Sequence, residues 1–150
     1  MINSKKDLFD MVNIISNHRP FDPGKIESLT DHKLENIKPE SNEYFLIYRS
    51  LKDNVQRNDN LSIELRVPTS KSSCRDGMIV INLEPVNCID QDDVVNEYGL
   101  GEPNPPHPNM PEEEALFYLS YDYNWGQISY GFKATGQKCL SSIVLDATIQ

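Results

Sequence analysis

The sequence predicts an α+β fold. Two αβββ repeats form antiparallel meanders with helices packed on one sheet face, and a helix precedes them at the N-terminus. Three observations predict it. Apolar residues recur at helical spacing in three short segments and run or alternate at strand spacing in six others. The order helix, strand, strand, strand occurs twice. Its landmarks also correspond: Phe21-Asp22 with Ile89-Asp90, Tyr48 with Tyr121, Ile63-x-Leu65-x-Val67 with Ile128-x-Tyr130-x-Phe132, and Ile79-Val80-Ile81-Asn82 with Ile143-Val144-Leu145-Asp146.

In chain order, residues 4–17 read as an amphipathic helix. Ser4 and Asp7 have capping-box spacing, and Leu8, Met11, Val12 and Ile15 share a face. His18-Arg19-Pro20 ends it. Asp22 opens a second helix with Pro23 in its first turn, where the missing N–H costs nothing. This helix turns Ile26 and Leu29 inward and is expected to end near Lys33. Strands are expected over Tyr44–Ser50, Leu61–Val67 and Met78–Leu83, the second with Glu64 and Arg66 on the face opposite Ile63, Leu65 and Val67. Asp90, with Asp93 three residues on, caps a third helix that ends at Tyr98-Gly99. Three more strands follow: Ala115–Tyr123, Gln127–Phe132 and Leu140–Ala147. The organisation is therefore an N-terminal helical extension (1–19), a first repeat (20–86) and a second (87–150), together one compact unit. A single αβββ unit is marginal alone, whereas two can share a core.

At 150 residues and a net charge of −9, the chain suits neither nonspecific nucleic-acid binding nor docking on anionic lipid. No stretch approaches 18 consecutive apolar residues, so no membrane span is expected. The charge is concentrated. Glu84, Asp90, Asp92, Asp93, Glu97, Glu102, Glu112, Glu113 and Glu114 lie in a segment without Lys or Arg, and the remaining acids and bases balance. One reading is a solvated face; the other is a patch that steers a basic protein partner.

Cys74, Cys88 and Cys139 allow one disulfide and a spare thiol in an oxidising compartment, or three thiols in the cytosol. The residues after Met1 do not form a signal peptide. The expected location is periplasmic if such a segment has been removed, and cytoplasmic otherwise. Cys88 and Cys139 belong to the same repeat, so in the periplasm they are the expected pair.

Chemistry is not legible. His18, His32 and His107 are far apart, and no metal or triad spacing surrounds them. Ser72-Ser73-Cys74 and Ser141-Ser142 lack a nucleophile signature. Asp90-x-Asp92-Asp93 resembles a calcium loop until Val94 and Val95, and a helix N-terminus explains these acids better. No phosphate-binding glycine loop is present, so neither cofactor, metal nor catalytic residue is expected.

A binding surface remains. Pro103, Pro105, Pro106, Pro108 and Pro111 stiffen the loop Gly99–Glu114, which ends in three glutamates. Tyr118, Tyr121, Tyr123 and Trp125 follow on one strand and its turn. Trp125 stands at a turn tip that offers little to bury it. The candidate partner-binding set is therefore Glu102, Glu112, Glu113, Glu114, Tyr121, Tyr123 and Trp125.

The helix ending in a Gly/Pro-containing loop, followed by Tyr118…Trp125-Gly126-x-Ile128-x-Tyr130-x-Phe132 and Ile143-Val144-Leu145, resembles the SmpA/OmlA (BamE-like) fold. In tandem it resembles the beta-lactamase-inhibitor proteins. That resemblance covers residues 20–150 and rests on element order. It implies a protein binder that uses an open sheet face. The expected function is an inhibitor, an immunity protein that occludes the active site of one bacterial toxin or secreted effector. The alternative is a cell-envelope assembly or structural factor of the SmpA/OmlA type.

Overall fold

The computed structural model describes residues 4–50, 61–84, 88–106 and 108–148; His107 lies outside them. α1 spans Lys5–Ser16, and the Ser4 hydroxyl accepts from the Asp7 amide, satisfying one of the N–H groups that a helix start leaves open. Leu8, Phe9, Val12 and Ile15 are buried, whereas Met11 is only half-buried. The buried arc is rotated toward Phe9 because that ring packs edge-on against Tyr98 of a later helix, at 5.4 Å between centroids.

α2 (Pro23–Thr30) starts at the Asp22 cap with Pro23 in its first turn. It ends earlier than Lys33. Asp31 adopts a left-handed conformation, and the Leu34 amide donates to Glu27 Oε2 at 2.9 Å, turning the chain into β1 (Leu34–Asn36). β2 (Phe45–Ser50), β3 (Leu61–Pro68) and β4 (Met78–Leu83) follow. α3 (Gln91–Tyr98) begins with the full reciprocal capping box of Asp90 and Asp93. β5 (Glu102–Asn104), β6 (Leu116–Tyr123), β7 (Gly126–Lys133) and β8 (Leu140–Asp146) complete the chain. Patterning missed β1 and β5. Three residues carry no periodicity, and the proline-rich segment read as a stiffened loop.

All eight strands form one antiparallel sheet in the order β1-β2-β3-β4-β8-β7-β6-β5, so β4 and β8 meet at its centre. Its two edges are the short strands. On β5, Pro103 also lacks an N–H, which leaves little backbone for another chain to pair with.

The helices cover one face. Ile63, Leu65, Ile79, Ile81, Ile143, Leu145, Ile128 and Tyr130 lie opposite one another across β3, β4, β8 and β7. They join Leu8, Val12 and Ile15 of α1, Ile26 of α2 and Val94 of α3 in a single buried cluster. α1 is thus part of the core rather than an appendage. The described residues contain no helix long and apolar enough to cross a membrane.

Cys88 and Cys139 form a disulfide, with Cα atoms 5.0 Å apart. Beside it the Leu140 amide donates to the Ile89 carbonyl at 2.6 Å, so the approach to α3 is tied to the start of β8 by both bonds. Cys74 is a half-buried free thiol. The β6–β7 turn needs Gly126, whose φ of 154° is positive and whose missing Cβ would strike the Asp146 carbonyl.

Candidate protein-binding surface

Strand register defines the face that no described helix covers, the uncovered face. Across the sheet, Glu35, Arg49, Glu64, Val80, Val144, Ser129, Ser120 and Glu102 stand opposite one another, one from each strand. Charges occupy the β1–β3 side, valines the centre and hydroxyls the β7–β6 side. In the next row Ile47, Arg66, Met78, Asp146, Gln127 and Asp122 face one another.

The two sides differ in how much they leave open. Toward β6, polar groups satisfy one another: Ser120 Oγ lies 2.8 Å from Ser129 Oγ and accepts from Asn104 Nδ2 at 3.0 Å. Tyr118 lies over Gly131, where a Cβ would stand 2.7 Å from its ring, and Ser142 opposite Gly131 is buried. Burial raises the Tyr118 pKa. Toward β2 the face is concave. A cavity of about 300 Å³ opens over Phe45, Ile47 and Met78, walled by Glu40, Asn42, Arg49, Glu64, Arg66 and Thr148. Arg49 is clamped between Glu40 and Glu64, and Arg66 reaches the second Glu64 oxygen at 3.3 Å.

The residues expected to bind a partner do not converge. Tyr121 and Tyr123 share strand parity, and that parity faces the helices. Tyr121 packs with Tyr98 and Tyr130 at 5.8 Å from each and donates to the Gly99 carbonyl at 2.8 Å. Its role is to hold the loop after α3. Burial pushes Tyr98 up to about 12 and Tyr130 far above the ordinary tyrosine value. Among the described residues the buried Tyr130 hydroxyl has no hydrogen-bond partner of good geometry. Tyr98 lies close enough to perturb it, but donates to Asn13 Oδ1 at 3.4 Å.

Trp125 does occupy the turn, yet it is half-buried. It stacks with Tyr123 at 5.4 Å, and the Arg19 guanidinium lies 4.7 Å from its ring centroid. Sequence inspection found nothing to bury it because Arg19 comes from a segment over a hundred residues away.

Glu102 belongs to the uncovered face, and Glu112, Glu113 and Glu114 are exposed in the turn before β6. Trp125 lies beyond the other end of that strand. Eight residues at ~3.3 Å each separate the two ends by about 26 Å, several screening lengths in physiological salt. Not all nine acids of the segment face solvent alone. Lys5 donates to Asp93 at 2.7 Å, holding its carboxyl below the usual carboxylate range.

The cavity residues were not singled out from the sequence. Their signal was the placement of Glu64 and Arg66 on the strand face opposite the apolar set. Comparison of the chain with family models, curated proteins and solved structures finds no match.

Proposed function

We propose that the protein is a binding protein without catalytic activity, an inhibitor of the immunity type. It blocks the active site of a bacterial toxin or secreted effector with its uncovered sheet face. The observation that carries this reading is that face itself. It is a broad surface with an apolar centre at Met78, Val80 and Val144, rimmed by Arg49, Glu64, Arg66 and Asp146, while the helices occupy the other side. Apolar centres with polar rims are the anatomy of protein interfaces. The cystine Cys88–Cys139 supports action in the periplasm or another oxidising compartment.

We also read the fold as a duplication, which gives the face its breadth. The Asp22-capped and Asp90-capped helices have the same length, and each leads into a three-residue strand. Pairing supports it further: Ile63 opposes Ile81 as Ile128 opposes Leu145, and Leu65 opposes Ile79 as Tyr130 opposes Ile143. The two units would meet about a pseudo-twofold at the Val80–Val144 pair. Register then matches Tyr48 with Leu119 rather than Tyr121, since these oppose Leu65 and Tyr130.

The test is inhibition. The protein, isolated with its partner from native cells, should abolish an activity of that partner when the two are purified and recombined. Val80→Lys with Val144→Lys should release the inhibition while α-helical and β-sheet circular dichroism stay unchanged. Full inhibition by this double variant would refute the assignment of the face.

A further inference from the structure

The cavity between β2, β3 and β4 has a chemistry that selects its occupant. Its base is apolar: Phe45, Ile47 and Met78 line it, and Ile47 is buried even though it belongs to the uncovered face. Its volume of about 300 Å³ lies at the lower limit of ligand pockets, which suits one side chain with its adjoining polar group and is too small for a cofactor.

The polar wall is unevenly committed. Both Glu40 oxygens accept from Arg49; the two Glu64 oxygens accept from Arg49 and Arg66. Asn42 Oδ1 accepts from the Tyr44 and Phe45 amides at 2.8 and 2.9 Å. Each of the Glu40 and Glu64 carboxylate oxygens thus already accepts from an arginine. Arg49 uses all three guanidinium nitrogens on Glu40 and Glu64. Arg66 donates one hydrogen bond among the described residues, at 3.3 Å, from a side chain that is 47% exposed. A planar guanidinium has five donors, so Arg66 keeps capacity for a second carboxylate.

We propose that this cavity receives the C-terminal residue of a partner protein, an apolar side chain resting on Phe45, Ile47 and Met78 with its free carboxylate on Arg66. This rests on the uncovered face being the binding surface and names the chemistry that it recognises. A neutral amide in its place offers Arg66 an acceptor oxygen without the charge and so a weaker hydrogen bond.

The probe is a pair of pentapeptides, Ala-Ala-Ala-Ala-Leu with a free C-terminus and the same peptide amidated. The readout is the methyl resonance of Met78 in protein labelled at the methionine methyl groups, assigned through Met78→Leu. The free-acid peptide should shift that resonance saturably, and the amide should bind at least tenfold more weakly. Arg66→Gln should reduce the acid's affinity to that of the amide, and Arg66→Lys should restore part of it. The Met11 resonance, beside the core, reports that each variant is folded. A Met78 signal unmoved by the acid, or equal binding of acid and amide, would overturn the proposal. None of these outcomes depends on the partner assay, so the inhibitor reading and the cavity assignment fail separately.

Discussion

Reducing the Cys88–Cys139 bond, or replacing both residues with alanine, should destabilise the protein by about 4 kcal/mol. The two cysteines are 51 residues apart. Closing a loop of that length in the unfolded chain removes entropy worth ~4 kcal/mol at 25 °C in the chain-entropy description. The folded state should not relax to offset the loss. Cys139 is buried at the start of β8, and the Leu140–Ile89 hydrogen bond holds the same two segments together. At ~2–4 °C per kcal/mol for a chain of this size, the melting temperature should fall by about 8–16 °C. The assay is thermal unfolding followed by circular dichroism, with and without reductant. Alkylation counted by mass spectrometry checks the chemistry: one label on Cys74 in denatured, unreduced protein and three after reduction. Three labels without reduction, or a melting temperature indifferent to reductant, would refute the reasoning.

Further outcomes are expected. Leu65→Ala and Phe132→Ala should each cost ~2–5 kcal/mol in urea unfolding, because both side chains are buried in the shared core; Ser129→Ala on the uncovered face should cost far less. Tyr130→Phe should stabilise by ~1–2 kcal/mol, since it removes a buried hydroxyl that has no partner of good geometry among the described residues, and a loss of stability would show that the hydroxyl is bonded. Trp125→Ala should cost ~1–3 kcal/mol by stripping its contacts with Tyr123 and Arg19, and a neutral result would make this ring a surface feature. The folded-state pKa of Asp93 is depressed, so its charge contributes stability above the unfolded carboxylate pKa of ~3.9 that is lost as pH falls through the lower folded value. Asp93→Asn should therefore lower the urea midpoint at neutral pH, and the difference from wild type should shrink as pH falls below the ordinary carboxylate range. A difference that persists in acid would assign the loss to capping geometry instead of charge.

Local chemistry made the long elements legible. Asp22-Pro23 and Asp90-x-x-Asp93 announce helix starts because a short acceptor side chain satisfies the first amides whatever surrounds it. Alternation of Ile63, Leu65 and Val67 against Glu64 and Arg66 fixes a half-buried strand for an equally local reason, the two-residue repeat of the backbone. What failed locally was what depends on a distant partner. β1 and β5 are strands only because β2 and β6 offer them backbone groups, and no three-residue pattern carries that information.

Alone, the sequence determined the α+β class, six of the strands, the three helices and the inward faces of β3 and β7. Tertiary structure alone decided which surface is free. Arg19 closes over Trp125, Lys5 engages Asp93, and Tyr121 is drawn beneath the loop after α3, so the residues that looked available are in part committed. The concave surface instead arises where Arg49, Glu64, Arg66 and Met78 come together from three strands. The physical reason is that a side chain's availability is set by what packs against it, and across a sheet those neighbours come from strands remote in sequence.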